Sequence, residues 1–345
     1  ASDDEESAIE KFKKKLRWNE NETWFDQGGV GILFYAASSN EEAVVADLLV
    51  ELRRDFEGEE YSRRLESRAR KEGYIAFGIP GDTTALMVAM MLASPRIVTL
   101  LLEKGANIKN VDVMGNDGFM FASIFGRPKN LQCWLERVKE WDLNRQNTVV
   151  GGCALGSAVY MGANKLETVK FLLNAGSLLY RTHTGGNALT GAVENEDSDP
   201  DVVRVILEKM KSSCSPKEFV SIVNYKRSST TLKWKGISFV AKTLYRTGVS
   251  KSGLIESLAV EPGSTALDNG VMRGDVEIVK ILLERGADPY IENDLGMNAF
   301  ELCDKAGPFP SVKKVLRKHG TNNKTVGRIT DLFKIFSGPI SPQQL

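Results

Sequence analysis

The chain has 345 residues, 42% hydrophobic and 26% charged, which is enough apolar surface for a continuous core and argues against general disorder. Its 45 basic and 45 acidic side chains cancel, so no global field draws it to nucleic acid or membrane. Four cysteines without a CxxC pair argue against a zinc site or a disulfide framework, and no apolar run approaches the roughly 18 residues of a membrane-spanning helix.

Residues 1–27 read as an N-terminal segment. Ser7 and Glu10 fit a capping box, and Ile9, Phe12 and Leu16 share one face of a helix whose other sides carry Lys11, Lys13, Lys14, Lys15 and Arg17. Such a helix docks either on the body of its own chain or on a membrane or partner groove. The chain begins at Ala1 and not at Met, which leaves open the earlier removal of a targeting peptide.

From 28 to 320 a small residue recurs inside apolar segments, at Ala36, Ala89, Ala122, Ala158, Ala192, Gly270 and Cys303. Four of the steps are 33, 36, 34 and 33 residues. An amphipathic run follows each small residue, clearest over 97–107 and 278–288, where leucines at helical spacing end in Gly105 and Gly286. Gly126, Gly162, Gly274 and Gly307 break the chain between the paired helices. A period near 33 marks a repeat array, in which one unit cannot bury its own apolar face and must stack on its neighbours.

This pattern resembles the ankyrin family, whose unit is a turn and two antiparallel helices opening on a TPLHxA-like motif. The motif is altered here. Thr84-Ala85-Leu86, Asn187-Ala188-Leu189 and Thr265-Ala266-Leu267 carry alanine at the proline position, and no copy has the histidine. The resemblance implies an all-α ankyrin-repeat solenoid of about seven helix-pair repeats joined by short hairpin turns, one of them diverged with an insertion.

Two breaks interrupt the period. The step from Ala36 to Ala89 is 53 residues, and its surplus, 53–73, is so charged that a solvated helix or loop outside the stack is expected. The step from Ala192 to Gly270 is 78 residues, room for a diverged repeat plus an insertion within 210–262, with helices near 216–224, 237–246 and 254–260. Nine basic residues and one acid between Lys211 and Lys251 give a local net charge of +8. Lys226, Arg227, Lys233, Lys235, Lys242 and Arg246 are therefore a candidate dock for an anionic partner, with nucleic acid ranked below protein. The competing reading is internal compensation by the acidic loop of Glu194, Glu196, Asp197, Asp199 and Asp201.

The resemblance also implies where partners are met: at the hairpin tips and on the concave face, through the second and third residues after each small one. In three consecutive repeats these are Met91-Leu92, Ile124-Phe125 and Tyr160-Met161, all apolar or aromatic. A contiguous exposed apolar patch marks an interaction site unless the chain covers it itself. Hairpin-tip candidates come second: Lys109, Asn110 and Asp112; Tyr180, Arg181 and His183; Tyr290, Glu292 and Asn293. Ordinary turn chemistry competes for them. In the C-terminal segment, 321–345, Ile329, Leu332, Phe333 and Phe336 fall at i, i+3, i+4 and i+7, as a cap for the array or an anchor for another subunit.

Nothing reads as an active site. Two histidines, His183 and His319, offer little for catalysis or metal binding, and no phosphate-binding glycine loop has the right spacing. No catalytic residue, cofactor or metal is expected, and an enzyme would need its site in the 210–262 insertion. The expected role is a non-catalytic scaffold or adaptor that binds one or more proteins through the concave face. The alternative is a permanent accessory subunit of a large, possibly organellar, complex, with peripheral membrane contact left open. Location is expected to be intracellular, cytoplasmic by default.

Overall fold

A side-chain cap starts most of the first helices. Thr84, Asp117, Asn187, Thr265 and Asn298 sit in extended backbone, and each accepts the N–H three residues on, satisfying a donor that the helix start would otherwise leave unpaired. Alanine in the next position has a use that proline would forfeit. The Ala85 N–H donates to the Ser67 carbonyl at 2.9 Å and the Ala299 N–H to the Pro289 carbonyl at 3.2 Å. Second helices begin differently, with proline at the first turn in α6 (Pro95–Glu103), α8 (Pro128–Arg137) and α12 (Pro200–Ser213). Several second helices end on glycines, among them Gly105 (φ +86°) and Gly286 (φ +92°), which take the left-handed conformation of a helix stop.

The computed structural model describes residues 6–19, 24–69, 79–163, 165–177, 182–195, 197–249 and 252–319. The chain divides into two compact units, 1–182 and 183–345. In unit 1 the first helices α2 (Ile32–Ser38), α5 (Ala85–Leu92), α7 (Gly118–Ile124) and α9 (Ala154–Met161) stack in that order. Behind them stack the second helices α3 (Glu42–Asp55), α6, α8 and α10 (Lys165–Ala175). The recurring small residues Ala36, Ala89, Ala122 and Ala158 are fully buried, which is what lets the first helices approach one another. The N-terminal helix α1 (Ala8–Leu16) lies on α3, burying Ile9 and Phe12, and Lys15 pairs with Glu41 at 2.6 Å.

Over its described part the charged insertion forms a helix whose one apolar edge is held on the array while its charged face is exposed. Helix α4 (Gly58–Leu65) packs on α3, Leu65 is buried, and the Arg64 guanidinium lies 3.7 Å from the centre of the Phe56 ring. The Tyr61 hydroxyl donates to the Lys104 carbonyl, and Glu66 accepts from the Asn107 N–H and the Asn110 amide. Glu57, Glu59, Glu60 and Arg63 are exposed, while Glu66 and Arg68 bind the backbone at Asn107 and Asp82.

In unit 2 the pairs are α11 (Ala188–Glu194) with α12, α16 (Ala266–Met272) with α17 (Val276–Glu284), and α18 (Ala299–Ala306) with a helix over 310–319, α19. Here α11 lies directly on α16 and α12 directly on α17, so no diverged repeat occupies a layer between them. Instead 214–262 leaves the stack as α13 (Pro216–Val223), α14 (Leu232–Arg246) and α15 (Gly253–Val260), with α14 and α15 packed on each other. Helix α14 begins earlier than its periodicity suggests because Thr231 caps it, accepting the Trp234 N–H. The linker before it runs past two hairpin turns, the Thr230 N–H reaching the His183 carbonyl and the Arg227 N–H the Ser264 carbonyl. Gly270 holds the small-residue column in this unit: a Cβ there would meet Ile278 and Val279 at 3.4 Å. The C-terminal positions Ile329, Leu332, Phe333 and Phe336 lie outside the described residues.

Candidate partner-binding surface

First helices are flanked by a neighbour on each side and backed by second helices, so most of their residues are buried whatever their helical phase. Only the last turn escapes. In unit 1 this turn carries the apolar pairs singled out from the sequence, and the structure separates them. Met91 is 1% exposed, packed with Met87 and Phe121, and is therefore core and not surface: the close approach of α5 and α7 closes over it. Ile124 and Phe125 lean on the same cluster and are half-buried. Leu92, Tyr160 and Met161 are exposed, the last two at 50% and 57%.

The backbone beneath these side chains is secured from the second helix of the next repeat. The Asn130 amide donates to the Ala89, Met90 and Ala93 carbonyls at 3.0–3.3 Å, and Arg127 donates to the Ala93 carbonyl at 2.6 Å. The carbonyls at the end of α5 are thus satisfied without help from its last side chains.

Unit 2 fills the same positions with Glu194, Met272, Arg273 and Lys305, which line a cleft of about 320 Å³ with Glu256 and Glu261 of the insertion. Its polar groups answer one another. A Glu194 oxygen accepts from Arg227 at 2.5 Å and from Asn269 at 3.0 Å, Arg227 also pairs with Glu261 at 3.2 Å, and Lys305 pairs with Glu256 at 2.9 Å. Burial outweighs Arg227 and raises the Glu194 carboxyl to about 7. Asp268, buried in the capping box of α16, is raised by burial to about 6.

Several sequence candidates change character here. Arg227 is buried and held by Glu194, Glu261 and Thr184, so it is a structural cation and not part of an exposed dock. Lys242 pairs with Asp294 at 2.9 Å and Arg246 donates to the Asp294 carbonyl, while Lys226, Lys233 and Lys235 remain exposed. Of the acidic loop, Glu194 neutralises Arg227, Asp199 caps α12 and Asp201 pairs with Arg204.

Among the hairpin tips, Asp112 is buried and accepts the Met114 and Asn116 N–H groups. Asn293 is buried and accepts those of Leu295 and Met297. Asn110 is tied to Glu66 and Arg68. These three hold turns, because a short Asp or Asn side chain mimics a backbone acceptor in a tight loop. Asn116 and Asn147 belong to the same system, joined by a 2.9 Å hydrogen bond across two successive turns. Lys109, Tyr290 and Glu292 are exposed and His183 is half-buried; Tyr180 and Arg181 lie outside the described residues.

One feature of the insertion was masked by its charge. Leu232, Phe239, Val240 and Leu254 are exposed apolar side chains, and three of them recur at i, i+7 and i+8 between the lysines of α14. Among the described residues no three His, Cys, Asp or Glu side chains are grouped to hold a metal, and no helix is long and apolar enough to cross a membrane.

Stacked helix pairs with capped first helices and a buried small-residue column define a helical-repeat binding protein, and its repeats are of one known kind. The ankyrin repeat family profile matches residues 82–113 and 263–294. The chain is an ankyrin-repeat protein. Its fold is similar to the ankyrin repeat domain of Bcl-3, described as a unique member of the IkappaB protein family. That similarity has a TM-score of 0.54 and 20% identity over 84% of this chain and 99% of that one. The human ASB11 ankyrin repeat domain is similar at TM-score 0.51 and 17% identity, over 84% of this chain and 97% of that one. No curated protein is significantly similar to the chain in sequence.

Proposed function

We propose that the chain is a non-catalytic protein-binding scaffold that holds its partner on the last turns of the unit 1 first helices, through Leu92, Ile124, Phe125, Tyr160 and Met161. Ankyrin repeats are a protein–protein interaction module, which supports the coarse reading. The observation that carries the finer one is the exposure of Leu92, Tyr160 and Met161 beside the half-buried Ile124 and Phe125. Apolar surface left in contact with water gains by being covered. The reading is non-catalytic because the polar groups of the unit 2 cleft are engaged with one another. An intracellular, reducing setting goes with it, since Cys133, Cys153 and Cys303 are buried free thiols.

A photo-crosslinking residue at Met161 in the full chain tests the site. It should capture a defined partner in the native setting, with capture lost on Phe125→Ser and absent when the crosslinker sits instead at Glu167 on α10. Equal capture from both positions would remove the assignment.

The second reading, a permanent accessory subunit, is favoured by the exposed apolar side chains of the insertion, which offer a contact separate from the first-helix face. Size-exclusion chromatography of native material decides between the two: an adaptor runs near 38 kDa or exchanges partners, and a subunit elutes only in a large stable complex.

A further inference from the structure

Helix α14 is out of proportion to what it buries. It has 15 residues, yet Ala241 is the one buried residue assigned to it. At 3.6 residues per turn Leu232, Gly236 and Phe239 lie on the side opposite Ala241, and Val240 lies between that side and Ala241. Leu232 is 86% exposed and Phe239 69%. Leu232, Lys233, Gly236, Ile237, Val240 and Ala241 form one wall of an open groove of about 460 Å³, and Ile255 and Leu258 of α15 form the other. Lys233 is exposed and makes no ion pair among the described residues. The groove is therefore apolar apart from one lysine in its α14 wall.

Gly236 adds a second observation. A glycine in the interior of a helix costs stability relative to alanine. Nothing in the described chain calls for it, because a Cβ at this position would meet no atom within 4 Å. The opening it leaves faces the groove, where it admits the close approach of a side chain from outside. A lipid surface has no use for such a gap, and a second copy would bring one lysine-edged face against another.

We propose that the groove between α14 and α15 receives an amphipathic helix of a partner protein with an acidic flank, seated over Gly236 and steered by Lys233. The apolar lining supplies the contact, and the lysine selects the charge of the incoming helix. The proposal does not depend on the role of the first-helix face.

The probe is a fluorescein-labelled synthetic helix with leucines at i, i+3, i+4 and i+7 and glutamates on both flanks, with a lysine-flanked twin, titrated against the full chain by fluorescence anisotropy. The acidic peptide should bind about threefold or more tighter than its twin, and Lys233→Glu should reverse that order whereas Lys235→Glu, on the far side of the helix, should not. Gly236→Leu should weaken binding about tenfold while raising the melting temperature, because it fills the gap and improves the helix at once. Tyr160→Ser, on the other proposed face, should leave this binding unchanged, so failure here and failure there are distinguishable. Equal binding of the two peptides, or no binding of either, overturns the proposal. So does association with vesicles of about 30 mol % phosphatidylserine that survives Gly236→Leu, which would make the face a membrane contact. A dimer in sedimentation velocity that Val240→Asp dissolves would make it a contact between copies.

Discussion

At the ends of its first helices unit 1 carries Leu92, Phe125, Tyr160 and Met161, whereas unit 2 carries Glu194, Arg273 and Lys305 in the equivalent places. The two ends are closed differently. In unit 1 Asn130 and Arg127, from the next repeat, bind the terminal carbonyls of α5, and in unit 2 a side chain of the equivalent turn, Arg273, donates to the Glu194 carbonyl at 3.0 Å. The charged side chains of unit 2 close a polar network within the unit, whereas Leu92, Tyr160 and Met161 of unit 1 are exposed.

The comparison is broken most severely at Arg227. Replacing it by Ala strands Glu194 among buried groups and should cost about 3–5 kcal/mol in urea unfolding at pH 8. The cost should shrink at pH 5, where Glu194 takes a proton; a pH-independent loss would show that the pair carries no buried charge. Next comes the interior of the unit 1 stripe. Met91→Ala should cost about 2–4 kcal/mol because it empties a closed cluster, and hydrogen exchange should rise in α5 and α7. A loss below about 1 kcal/mol would return Met91 to the surface.

A smaller effect is expected from Glu194→Gln. Burial lifts the folded carboxyl to about 7 from an ordinary value of 4.5, so its stabilising contribution is complete below that ordinary value and is lost as pH rises through about 7. Between pH 5 and 8 the native chain should therefore lose about 2 kcal/mol relative to the Gln variant, read as diverging thermal midpoints. Smallest are Tyr160→Ala and Met161→Ala, each expected within about 0.5 kcal/mol of the native chain by the same unfolding assay. A larger loss would mean these side chains serve the fold and not a partner.

Much of the fold was legible because its signals are local. The small-residue column, the amphipathic second helices and their glycine stops all fall within one period, and Ala89, Ala122 and Ala158 were found where the spacing placed them. The site was only half legible. Counting from the small residue finds the last turn of each first helix, yet it does not distinguish Met91, which turns inward onto Phe121, from Leu92, which does not. Asp112 and Asn293 looked like tip residues because turn builders and contact residues share a vocabulary of short polar side chains. The apolar strip of α14 had a readable spacing at Leu232, Phe239 and Val240, obscured by the lysines between them.

The sequence by itself determined the repeat period and the all-helical architecture, because each depends on residues a few turns apart. Only the tertiary structure decided that Arg227 is buried against Glu194, that 214–262 adds no layer to the stack, and that α14 keeps its apolar side outward. Each of these depends on which distant segments close against one another. Helical periodicity states that a face exists, and packing over tens of residues of separation decides what covers it.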